Sequence, residues 1–247
     1  MKTDMIVVTA LLALAAQPGD FNRTEETELL EFSYAWPAEA VRDPALNAIL
    51  EERMEAARFE ARRTAEEDRR TRPAEAPFNA HHYGESWIVD GDTPRLLSLS
   101  SSASTYTGGA HSNLLFAAML WDKQAHRVLD TPSLFGSALA GLGDRYCAAL
   151  VVEREERRGE PTPQGDLFGD CPGIDQQVLA PADRDRNGRF DTLRILLPPY
   201  AAGPYVEGDY VIDVAFGDAD LAAIEADYRP AFEVPGPDFR PVSDEAE

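Results

Sequence analysis

Positive charge is what this sequence has least of. Its 247 residues carry 23 Lys and Arg against 44 Asp and Glu, a formal net charge of −21. Phosphate backbones and anionic membrane surfaces are bound through clusters of Lys and Arg, so nucleic acid and acidic lipid are poor partners. The same imbalance steers cationic partners inward at low salt, or serves solubility alone. Histidine is scarce too: there are four, two of them the adjacent His81-His82, and none has Cys or His neighbours at zinc-ligand spacing. Cysteine is limited to Cys147 and Cys171. An oxidising compartment would bridge that pair, closing a loop worth roughly 3 kcal/mol in the chain-entropy model. Two unpaired buried thiols are the alternative.

Apolar runs of bilayer length, about 20 residues, are also missing, which makes a permanent membrane anchor the weaker reading. The N-terminal run Met5–Ala16 is shorter, follows Lys2 and holds the small-residue site Ala13-Leu14-Ala15. That is the layout of a secretory signal. Residues 1–16 are therefore expected to be a signal peptide and the protein to be periplasmic or secreted, in agreement with a disulfide.

What is present suffices for a sizeable core, since 44% of the residues are hydrophobic. Thr27–Trp36 alternates apolar and polar residues, ending at Pro37, and reads as a strand. Asp43-Pro44 is an N-cap followed by proline, opening a helix to about Arg72 with the stripe Leu46, Ile49, Leu50, Met54, Ala57 and Ala61. Glu66 and Arg70 beyond it form an i,i+4 pair worth a few tenths of a kcal/mol. Further strands are expected at 83–89, 96–105, 114–120, 192–197 and 209–216, with Asp90-Gly91-Asp92 as a turn. Helices are expected at 137–157, with Leu139, Leu142, Tyr146 and Leu150 inward, and at 219–227, capped by Asp218. The expected fold is α+β, a mostly antiparallel sheet packed against two or three helices. Its divisions would be an N-terminal subdomain at 27–121, a C-terminal one at 122–234 and a disordered tail at 235–247.

Two stretches invite a functional reading. Tyr106-Thr107-Gly108-Gly109-Ala110-His111 sits between two strand-like runs. Paired glycines there mean left-handed backbone or the close approach of another group. One reading is a hairpin corner, with His111 holding the turn. The other is a binding rim of Tyr106, Gly108, Gly109 and His111, with Tyr200 and Tyr205 from the later Pro-Tyr-Gly crossing. The second stretch, Asp183 to Asp191, places Asp183, Asp185, Asn187 and Asp191 at the alternating positions of a Ca²⁺ loop, with Gly188 at the sharp turn. Arg194 stands where a bidentate glutamate would close that loop, and an Asn187-Gly188 hairpin turn explains the same pattern. No other cofactor is suggested.

Three blocks in register, Tyr106–His111, Leu129–Phe135 and Pro199–Gly208, resemble the RsiV-like and PdaC-type extracytoplasmic domain family. The resemblance implies an α+β extracytoplasmic module. In the RsiV branch that module binds lysozyme, and in the PdaC-type deacetylase it accompanies a catalytic domain. A sigma-binding region like that of the RsiV branch is not expected here. The expected function is thus an exported cell-envelope binding module, with a cationic protein such as lysozyme, or cell-wall glycan, as partner. The alternatives are a peptidoglycan-modifying hydrolase, in which His111 would work with Ser112 or Ser102, and a structural domain of an envelope assembly. No serine lies in a nucleophile-elbow pattern, so the non-enzymatic reading is preferred.

Overall fold

The structure is a computed structural model that describes residues 19–73, 75–163 and 165–237. The expected signal peptide, and residues 238–247 of the expected tail, lie outside the described residues. The fold is α+β, as expected, with two sheets. Six strands run in sequence order across the first: β1 (Phe21–Glu26), β2 (Leu30–Trp36), β3 (His81–Asp92), β4 (Leu96–Tyr106), β5 (Asn113–Asp122) and β6 (Arg127–Leu129). Between β2 and β3 lie α1 (Ala38–Val41) and α2 (Pro44–Thr71), and β2–β3 is the sheet's one parallel pairing. After β6 come α3 (Thr131–Phe135) and α4 (Ala138–Arg158). The second sheet, β7 (Val178–Ala182), β8 (Thr192–Leu197) and β9 (Tyr210–Ala215), is antiparallel and is followed by α5 (Asp218–Ala223).

The alternation in β2 does what its period demands. Leu30, Phe32, Tyr34 and Trp36 are buried on one face. There they meet Leu46, Leu50 and Met54 of α2, with Ile49, Ala57 and Ala61 partly buried beside them. Asp43 does two jobs. Its Oδ1 accepts from the N–H groups of Ala45 and Leu46, capping α2, while its Oδ2 accepts from Trp121 Nε1 at 2.8 Å. The other two tryptophans are also satisfied, Trp36 by Asn47 Oδ1 and Trp87 by the Tyr34 hydroxyl, each at 3.0 Å.

A second core lies on the opposite face. On β4, Leu97 and Leu99 join the α2 core while Leu96 joins the other, and on β5 Trp121 and Leu120 divide the same way. Leu142, Tyr146 and Leu150, one helical turn apart on α4, pack there against β8 and β9. Cys147 and Cys171 are joined as a disulfide, 24 residues apart. Arg154 Nη1 donates to Gly169 O at 3.3 Å, Arg158 reaches Asp166 at 2.6 Å and Thr162 N donates to Glu155 at 3.3 Å, so with the disulfide the excursion after Gly159 is tied back to α4 at four points.

Several local expectations are corrected. Phe21–Glu26, for which no element was expected, is the edge strand β1, because its polar alternation suits an edge with one exposed side. Asp90-Gly91-Asp92 is a bulge within β3, and the turn falls instead at Thr93, whose Oγ1 accepts from Leu96 N. Glu66 pairs with Arg62 rather than Arg70, since Arg70 turns to Glu67. The last helix is shorter than 219–227, and its N-cap is Gly217, whose N–H donates to Asp220 Oδ2. Phe232, beyond Pro230, is fully buried and bridges to Phe190.

Gly91 marks a close approach of β3 to the loop between β7 and β8. A Cβ there would lie 2.7 Å from the Phe190 ring and 3.0 Å from Asp183 Cβ. Gly91→Ala is expected to lower stability by about 1–3 kcal/mol through overpacking, read by denaturant unfolding. Replacing both cysteines by serine is expected to cost about 3 kcal/mol in the same assay.

Candidate functional site

The loop between β4 and β5 crosses two other parts of the chain. Tyr106 ends β4, half-buried and opposite His82 in register. Gly108 is in the left-handed region, φ +88°, and a Cβ there would stand 3.2 Å from Arg72 Nη2. Gly109 is not left-handed and has open space around it, so only one of the two glycines is required by the backbone. Arg72 itself is held at the end of α2 by Asp68 at 2.6 Å and Pro77 O at 3.0 Å.

On the other side of the loop, His111 stacks on Tyr205 with ring centroids 3.7 Å apart and planes 24° from parallel. Tyr200 stands 6.4 Å from His111 and 5.7 Å from Tyr205. Tyr205 OH donates to Ser112 O at 2.8 Å, and His111 Nδ1 lies 3.0 Å from the same carbonyl. The structure therefore brings His111, Tyr200 and Tyr205 together, with Gly108 at the root of the loop. Tyr106 makes no ring contact with them among the described residues. Tyr200 is 55% exposed and adopts φ +73°, a conformation rare for a residue with a side chain. Backbone strain of this kind gathers at functional positions. Val206, beside Tyr205, is 90% exposed. Among the described residues the His111 ring has no hydrogen bond to a serine hydroxyl or a carboxylate.

The Asp183–Asp191 loop is held by hydrogen bonds of its own. Asp183 accepts from Asn187 N at 3.0 Å and Gly188 N at 2.7 Å, while Asp185 accepts from both nitrogens of Asn187. Asp191 is fully buried and accepts from Arg184 N and Thr192 Oγ1. No three His, Cys, Asp or Glu among the described residues are grouped to hold a metal ion. Nor is the loop a two-residue Asn-Gly hairpin. It spans the nine residues between β7 and β8, with Arg186 and Gly188 left-handed and Asn187 not.

A polar recess of about 320 Å³ beside this loop was not anticipated; Val89, Asp90, Asp183, Arg184, Arg186 and Arg194 help line it. Behind it, Arg194 joins Asp90 at 3.3 Å to Asp213 at 3.1 Å, and Arg184 reaches the second oxygen of Asp213 at 3.1 Å. Burial pushes the Asp90 carboxyl up to about 6, against the pull of Arg194 and Ser100. The sequence signal was there: Arg194 and Asp213 are single charges inside the otherwise apolar strands β8 and β9. Because the native pKa of Asp90 lies above its ordinary 3.8, folding favours the protonated acid. That contribution is complete below pH 3.8 and lost as pH rises through about 6. Relative to Asp90→Asn, the wild type is expected to lose stability across that window, read by denaturant titration of both proteins at stepped pH.

Residues 23–114 match the family model described as Deacetylase PdaC, 92 of the 247 residues. No curated protein matches the chain. Among solved structures, a DUF3298 family protein from Pseudomonas aeruginosa is similar at TM-score 0.52 and 15% identity, over 83% of this chain and 93% of that one. A DUF3298 family member from Bacteroides fragilis is similar at TM-score 0.48 and 18% identity, over 79% and 88%. Part of the chain is thus similar to the Deacetylase PdaC family model, and its fold is similar to that of the Pseudomonas protein.

Proposed function

We propose that this protein is an exported cell-envelope binding module that captures a basic protein of the lysozyme type at the rim formed by His111, Tyr200 and Tyr205. The observation that carries this reading is Tyr200, exposed and held in left-handed backbone beside the His111–Tyr205 stack. Rigid aromatic side chains give large contact area for little lost entropy, the usual make-up of a binding anchor. The net charge of −21 complements a basic partner and raises the rate of encounter at low salt. Its ligand class follows the sequence resemblance to the RsiV-like domains, and the PdaC-type segment supports an envelope setting.

The test is binding of a basic lysozyme to the purified protein at low ionic strength. Tyr200→Ala is expected to weaken binding at least ~10-fold, about 1.4 kcal/mol, with an unchanged melting temperature. Equal capture by wild type and variant would remove the rim from the reading. Turnover of purified peptidoglycan by the wild-type protein would replace capture with hydrolysis.

A further inference from the structure

The two long edges of the six-stranded sheet are built differently. Edge strand β1 is guarded: Arg23 pairs with Glu55 at 2.5 Å, and Glu25 with Arg58 at 3.3 Å, so its charges are locked to α2. At the other edge, β6 pairs with only the last three residues of β5, Leu120 to Asp122. It stops there because Asp130 caps α3, accepting from Ser133 N at 3.0 Å, and the chain leaves the sheet. Among the described residues no strand pairs with the outer side of Asn113–Met119, a stretch without a charge, a proline or a glycine. Natural sheet edges ordinarily carry such guards, because a bare row of N–H and C=O groups recruits another strand.

The row specifies its occupant. Alternate residues of an edge strand direct both backbone groups outward, and only an extended chain satisfies them at strand spacing. Where the bare stretch meets β6 there is a recess of about 430 Å³, bordered by Ala118, Leu120, Val128 and Leu179 together with Asp130 and Gln177, with room for a side chain of an added strand. At its other end the stretch runs directly into Ser112 and His111 of the rim.

We propose that a partner protein adds an extended, Lys- or Arg-bearing segment antiparallel to Asn113–Met119, in the place a longer β6 would fill. This deepens the capture reading and rests on it for the basic character of the partner, which the charge of −21 matches. The aromatic rim then holds the end of the incoming strand, and main-chain pairing supplies the rest of the contact.

The test is hydrogen–deuterium exchange on the full chain with two probes, the heptapeptide Lys-Val-Lys-Val-Lys-Val-Lys and a basic lysozyme. Both are expected to slow exchange within 113–119 at least ~10-fold while β1 stays as it was. Leu115→Lys, at a position 52% exposed, is expected to leave the melting temperature unchanged and weaken peptide binding at least ~5-fold by guarding the edge. Lysozyme binding that protects only the rim loops overturns strand addition and leaves capture standing. Peptide protection without lysozyme binding overturns capture and leaves the strand site. Failure of both probes overturns both, and protection of 113–119 by raising the protein's own concentration makes the occupant a second copy instead.

Discussion

The two sheets are tied together by a close contact where the β3 bulge meets the loop between β7 and β8. Asp183 N donates to Asp90 O at 2.9 Å, and Gly91 leaves room for the Phe190 ring beside it. The approach buries Asp90, and a lone buried carboxylate is costly. Arg194 answers it from β8 and is itself answered by Asp213 on β9, so one guanidinium spans both sheets. With the sheets fixed there, β7 lies alongside β3, β4 and β5. The loop after β8 then reaches the β4–β5 loop, and Tyr205 closes on Ser112. The rim is downstream of an ionic contact that contains none of its residues.

Much of the fold was legible because one-sided burial writes a period into the chain. The β2 alternation, the Asp43-Pro44 start of α2 and the four-residue spacing on α4 are each local and unambiguous. What escaped lacks that signal. β1 buries little, so its sequence resembles linker. The Asp-Gly-Asp of β3 resembles a turn because glycine serves close approach and reversal equally well; the Phe190 ring, a hundred residues away, decides between them. Phe232 carries no periodic signal of its own, and its burial follows only from its long-range partner Phe190.

The site was legible in its parts and not in its arrangement. Glycine and histidine at Gly108–His111 mark a corner, and proline with tyrosine near Tyr200 marks a crossing, but their meeting is a tertiary fact. Tyr106 belongs to the same sequence block, yet it ends β4 and makes no ring contact with the other three aromatic side chains among the described residues. The Asp183–Asp191 spacing shows how little spacing alone decides: oxygens that suit an ion also suit backbone N–H groups, and Asp183 takes two of these. Arg194 and Asp213 were visible as odd residues in apolar strands, but a single sequence does not say which odd residues meet.

The lone parallel pairing carries a consequence for how the protein comes together and apart. β3 through β6 follow one another by short connections and can zip locally, whereas β2 must wait for the whole of α2 before it finds β3. Closing so long a connection costs chain entropy before any contact repays it. The amino-terminal ribbon is therefore the late arrival in assembly, and mechanical load applied from that end would peel away β1 and β2 while the meander behind them still holds.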